Sequence, residues 1–138
     1  MEDIYFQNHA VTITYNPDMQ LGTAIWRGFL SSDEFREAIL KCLELIENRP
    51  VVRWLGDNRD MKVIRPIDQV WFVDTVLPRL HHSALRRNAV LHSKDFFNKA
   101  AVEQIYRRTE GRGDLITKDF DSKALALAWL KEDIQLEA

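Results

Sequence analysis

Leu21-Gly22-Thr23-Ala24-Ile25-Trp26-Arg27-Gly28-Phe29, followed by Ser31-Ser32-Asp33-Glu34 and later by Val51-Val52-Arg53-Trp54-Leu55, is the stretch whose reading decides the fold. Its first segment reads as a strand. Ser31 and Glu34 have the spacing of a capping box, in which each side chain bonds the other residue's backbone N–H. Phe35, Ala38, Ile39, Cys42, Leu43 and Ile46 then recur at intervals of three and four, the stripe of a helix packed on a sheet. Asn48-Arg49-Pro50 ends that helix, because proline biases its predecessor away from helical geometry. The second strand runs into Gly56-Asp57-Asn58-Arg59-Asp60, which reads as a loop. Strand, helix and strand in this order imply a crossover connection and a parallel pair.

Working outward, Ile4 and Phe6, then Val11, Ile13 and Tyr15, occupy every second position, the period of a half-buried strand. Asn16-Pro17-Asp18 is a turn signal, so this strand and the one starting at Leu21 should form a hairpin. Residues 2–7 resemble a protease tag site imperfectly and are taken as native, since the match begins at Met1. Toward the C-terminus, Pro66 fits a first helical position and Asp68 complements the helix dipole. That helix carries Val70, Trp71, Val73 and Leu77 to Pro78, which should kink or end it. A strand at residues 87–92 follows, then a helix with Phe97, Ala101, Val102 and Ile105 after caps at residues 93–95. A loop at residues 109–114, a short strand at 115–117 and a last helix capped by Asp121 or Ser122 complete the chain. The last helix is expected to face inward with Ala124, Leu127, Ala128 and Trp129. The expected fold is a single α/β domain over residues 1–138. It has a mostly parallel four- to five-stranded sheet, an antiparallel N-terminal edge hairpin and about four helices.

Composition narrows the function classes. The 138 residues carry 19 Lys+Arg against 21 Asp+Glu, a formal charge of −2, so the basic footprint of a nucleic-acid-binding domain is missing. No window is apolar enough for a membrane span, and the N-terminus lacks a signal-peptide pattern, so the expected location is cytoplasmic. Cys42 is the one cysteine, too few for an internal disulfide or for a zinc or iron–sulfur site, and it falls in the core stripe.

Four groups of residues carry a family resemblance. They are Trp26-Arg27-Gly28-Phe29, Trp54-Leu55-Gly56-Asp57-Asn58-Arg59, Asp68-Gln69-Val70-Trp71 with Leu77-Pro78-Arg79, and Phe120 with Ala124-Leu125 and Ala128-Trp129-Leu130. In this order they resemble the STAS-like domain of sulfate transporters and anti-sigma-factor antagonists. More narrowly they resemble its stand-alone bacterial members, sometimes grouped with CRAL-TRIO lipid-binding domains. The resemblance spans nearly the whole chain and implies fold far more than activity. It also implies a switch serine at the start of the helix after the central strand. Here Gly56-Asp57-Asn58-Arg59-Asp60-Met61 holds no Ser or Thr, so Asp57 and Asn58 correspond only to the family's functional loop and not to a phosphosite.

In open parallel sheets, ligands bind beyond the carboxyl ends of the strands. Asp57, Asn58 and Arg59 are therefore the first candidates: a carboxylate, an amide and a guanidinium suited to a polar ligand or a partner's backbone. His92 would open on the same rim, with Asp57 or Asp95 as the carboxylate to orient its ring. The adjacent pair His81-His82 cannot aim both rings at one metal and reads as a solvated helix end. Arg59, Lys62 and Arg65 would make an anion site if they converge with Arg79, Arg86 and Arg87; a third basic group is Arg107, Arg108 and Arg112. Trp71 and Phe72 lie on a helix apolar nearly all round, which either sinks into a core or offers a face to a partner or ligand.

The favoured expectation is a non-enzymatic regulatory or interaction module with a protein partner, using Asp57, Asn58, Arg59, Arg65, Trp71, Phe72 and His92, with no catalytic residue, metal or cofactor. The alternative is a binder of a small anionic or lipid ligand, with the second helix as cavity wall. A homodimer through an edge strand or that helix is open to either.

Overall fold

In the computed structural model, residues 2–107 and 114–134 are described. Six strands form one sheet in chain order: β1 (Asp3–Gln7), β2 (Val11–Asn16), β3 (Leu21–Gly28), β4 (Arg53–Met61), β5 (Arg87–Leu91) and β6 (Ile116–Phe120). The first three are antiparallel and the pairs from β3 to β6 are parallel. The mixed α/β class expected from the sequence is what the chain adopts, with more strands than counted because the first strand is really two. Asn8 Oδ1 accepts the backbone N–H of Ala10 at 2.8 Å and of Val11 at 2.9 Å, an Asx turn that reverses the chain. The shift from even apolar positions (Ile4, Phe6) to odd ones (Val11, Ile13, Tyr15) marks the same break.

The capping box of α1 (Ser32–Asn48) forms as expected, with Glu34 N–H donating to Ser31 Oγ at 3.2 Å and Ser31 N–H to Glu34 Oε1 at 2.9 Å. The predicted stripe is buried, with Leu45 added to it. Pro78 does not end the next helix. α2 (Pro66–Trp71) passes through a π-helical turn (Phe72–Val76) into α3 (Leu77–His82). Leu77 N–H reaches back five residues to the Phe72 carbonyl, and this wider turn makes room for the proline ring.

Two later helices correct the sequence reading. In α4 (Phe96–Arg107), Val102 and Ile105 face the core, but Phe97 is 73% exposed. In α5 (Lys123–Lys131), the inner face is Ala126, Trp129 and Leu130, while Ala124 and Ala128 face solvent. Trp129 sets that rotation by packing on Phe120 at 5.7 Å between ring centroids. Of the loop expected at residues 109–114, residues 109–113, with Arg112, lie outside the described residues, as does Arg108.

Helix α1, the continuous α2–α3 helix and α4 cover one face of the sheet, over a core that includes Ile13, Trp26, Leu43, Trp54, Phe72 and Val90. Helix α5 covers the other face, over Leu55, Ala89 and Leu91. A close approach fixes β3 against β4. Gly22 pairs with Trp54, and a Cβ at residue 22 would lie 2.1 Å from the indole, so only glycine lets the ring lie there. Among the described residues, no helix is long and apolar enough to cross a membrane.

Candidate functional site

The expected loop at residues 56–60 is strand. β4 runs on to Met61, pairing Asp57 with Ile25 of β3 and Leu91 of β5. The register with β3 then shifts between Asp57 and Asp60, a bulge that returns Met61 to the core-facing side. The extension buries Asp57 and Asn58 and separates them, because successive strand residues point to opposite faces.

Asp57 points to the α5 side. Its carboxylate accepts two hydrogen bonds from the Arg59 guanidinium, at 2.9 Å from Nε and 2.8 Å from Nη2. Burial alone would raise the Asp57 carboxyl, but the Arg59 guanidinium and backbone N–H, aided by Lys123, hold it below its ordinary value. The same bond pushes the Arg59 guanidinium up.

Asn58 points the other way, into a cavity of about 90 Å³ between the sheet and the three helical layers. Its walls include Trp26, Phe35, Trp54, Phe72 and Ile105, with Asn58, Asn88 and Tyr106 as polar members. The Tyr106 hydroxyl is pushed up to about 12, chiefly by burial, against the pull of its hydrogen bond with Asn88. Cys42 also lines the cavity, and burial raises its thiol, so it is a core residue rather than a nucleophile. The Trp71–Phe72 pair is divided. Phe72 enters the cavity wall, while Trp71 stays half-buried, edge-on to Phe35 with the Arg36 guanidinium 5.1 Å above its ring.

Sequence reading missed the anchor of this helix. Asp68 is 1% exposed, and its carboxylate accepts from Ser32 Oγ at 2.8 Å and Arg36 Nε at 3.1 Å. With that side pinned to α1, the opposite side of α2 shows Ile67, 66% exposed, and Val70 to solvent. Arg65 and Val63 precede them and are also exposed. Gly28, at φ 69, turns the chain after β3 so that exposed Phe29 follows it, and its carbonyl accepts from Lys62 N–H at 3.0 Å. One rim segment thus carries apolar and basic groups together.

His92 lies at the carboxyl end of β5, half-buried, but neither Asp57 nor Asp95 orients it. Asp57 is on the other face, and Asp95 caps α4 by accepting the N–H groups of Phe97 and Asn98. Its acidic neighbours are Asp121, with Oδ1 3.5 Å from His92 Nε2, and Glu103 and Asp119. The Asp119 carboxyl is pushed up, above all by burial. These carboxylates left no sequence signal beside His92, since they come from two other segments, α4 and the end of β6.

The two basic groups do not converge. Arg59 lies toward the carboxyl end of β4, whereas Arg87 starts β5 opposite Arg53, about 20 Å away at strand spacing. Arg87 donates to the carbonyls of Trp129 and Glu132, and Arg53 to that of Leu130, so both terminate α5. Arg79 is paired with Glu47. His82 is exposed at its helix end, but both ring nitrogens of His81 are buried without a partner among the described residues.

This arrangement is a mixed sheet with helices on both faces, and the candidate site residues Asp57, Asn58, Arg59 and His92 lie toward the carboxyl ends of its parallel strands. Among solved structures, an uncharacterised protein of the DUF3478 family from Shewanella loihica PV-4, described as having a SpoIIAA-like fold, is similar to this chain. The two share 19% identity and a TM-score of 0.55, over 91% of this chain and 97% of that one. The fold is therefore SpoIIAA-like, the STAS-like architecture expected from the sequence. No protein-family model and no curated protein sequence matches the chain.

Proposed function

We propose that this SpoIIAA-like domain is a non-enzymatic regulatory or interaction module that docks a protein partner at the rim formed by residues 61–70. The observation that carries the reading is Ile67 and Val70 side by side on the outer face of α2, beside Val63 and Arg65, on a helix whose inner side is pinned through Asp68. A rigid apolar shelf edged by Arg65 and Lys62 suits a partner with apolar anchors and acidic flanks. Arg59, held by Asp57, and His92 lie at the same carboxyl end of the sheet and would border the contact. Trp71 and Phe72 support the shelf from beneath. Asn58 contributes by lining the cavity behind it.

The test is affinity capture from the host with the full chain, comparing wild type with Ile67→Glu/Val70→Glu and with Asp57→Ala/Arg59→Ala. The expected result is one stoichiometric protein, reduced at least about tenfold by the first variant with far-UV circular dichroism unchanged. Equal capture by wild type and the Ile67→Glu/Val70→Glu variant would overturn the docking surface. Native mass spectrometry showing a small ligand of fixed mass and no protein partner would overturn the module reading.

A further inference from the structure

We propose that His92, Glu103 and Asp119 form a binding site for a divalent transition-metal ion of zinc's class. His92 follows β5, Glu103 lies on α4 and Asp119 in β6, so three separate elements converge at the edge of the sheet. One ligand atom from each lies within 4.8 Å of the other two, close enough for small rotamer changes to close a shell of ~2 Å bonds around one ion. A fourth carboxylate, Asp121, stands 3.5 Å from His92 Nε2.

The geometry has a reason in the fold. Asp119 pairs in register with Val90, so its side chain shares the face that α4 covers, and Glu103 descends from that helix. Lys99 and Arg107 flank Glu103 one turn to either side, and their charges favour the ionised Asp119 carboxylate. Among the described residues, however, neither makes an ion pair or hydrogen bond with Glu103 or Asp119, which leaves both carboxylates available to a cation. The donor set chooses the ion. Mg²⁺ and Ca²⁺ favour all-oxygen shells, whereas an imidazole with two carboxylates matches Zn²⁺ and its neighbours. Three protein ligands would leave a coordination position for water.

The test is isothermal titration of the metal-stripped full chain with ZnCl₂ and separately with MgCl₂. Wild type is compared with His92→Ala, Glu103→Gln and Asp119→Asn, and with His82→Ala as a control at an exposed histidine. The expected result is one Zn²⁺ per chain, at least about tenfold weaker in each of the three site variants, unchanged in the control, and no comparable Mg²⁺ binding. Circular dichroism identifies any variant that fails to fold; His92→Ala and Glu103→Gln alone then decide. Absence of Zn²⁺ binding in wild type would overturn the proposal. So would binding that survives His92→Ala or is lost in His82→Ala. The readout does not depend on partner docking.

Discussion

Asp57 and Asn58 are adjacent in β4 and serve opposite sides of the sheet. Asp57 is locked by Arg59 on the α5 side, while Asn58 faces the cavity under α1, α2–α3 and α4. Both are buried, so neither presents a free side chain at the rim; what they offer is position, Asp57 by holding a guanidinium and Asn58 by placing an amide in an apolar wall.

The Asp57–Arg59 pair makes stability depend on acid. The folded carboxyl lies below its unfolded value of about 3.9, so protonation favours the unfolded chain. The contribution is complete above that value and is lost as the pH falls through the folded one. Arg59→Ala should cost about 1 kcal/mol at pH 7 in urea unfolding, a figure already reduced for the solvent-screened guanidinium. The gap from wild type should close as the pH drops below the carboxylate range. A gap independent of pH would assign the cost to packing instead.

Two tyrosines should resist ionisation. Burial pushes both Tyr106 and Tyr5 up to about 12; for Tyr5 the hydrogen bond to Glu44 Oε1, at 2.6 Å, adds to it. Absorbance titration near 295 nm should show a step close to 12 that shrinks in Tyr106→Phe and again in Tyr5→Phe. Because the folded value exceeds the unfolded one of about 10, this stability is whole below pH 10 and disappears as the pH rises through 12. Tyr106→Phe should therefore flatten the alkaline fall in Tm.

Removing Arg36 should expose the cost of a buried charge. Asp68 would keep only Ser32 Oγ as a side-chain partner, so Arg36→Ala should destabilise the fold by about 3 kcal/mol. Arg36→Ala in an Asp68→Asn background should cost much less, and that difference, measured by urea unfolding, is the coupling between the two. Equal costs in both backgrounds would mean that Arg36 acts only through its contact with Trp71.

Much of the frame was legible along the chain because its signals are local. Ser31 and Glu34 close their box within one turn, the stripe from Phe35 to Ile46 repeats at the helical period, and the strand–helix alternation implies a parallel sheet. The differences fall where a local signal was overruled. Pro78, read as kinking or ending its helix, does not end it, because the π turn before it relieves the clash. Gly56 to Asp60 has turn-forming residues but is held extended by β3 along its length and by β5 as far as Asp57. Phe97 looked like core yet faces solvent, because Val102 and Ile105 fix the rotation of α4.

The candidate sites were only partly legible, since each joins residues far apart in sequence. His92 was visible as a rim histidine, but Glu103 and Asp119 meet it only through the pairing of β5 with β6 and the descent of α4. Asp68 read as a favourable charge at a helix start; its burial against Arg36 depends on how α2 docks on α1. The sequence by itself determined the order of elements, the helix caps and the apolar faces, because these follow from dihedral preference and periodicity over a few neighbouring residues. Tertiary structure alone decided which face each polar residue reached and what it met there. Strand pairing and helix docking set those contacts across the whole chain, and a one-residue shift sends a side chain to the opposite side of the sheet.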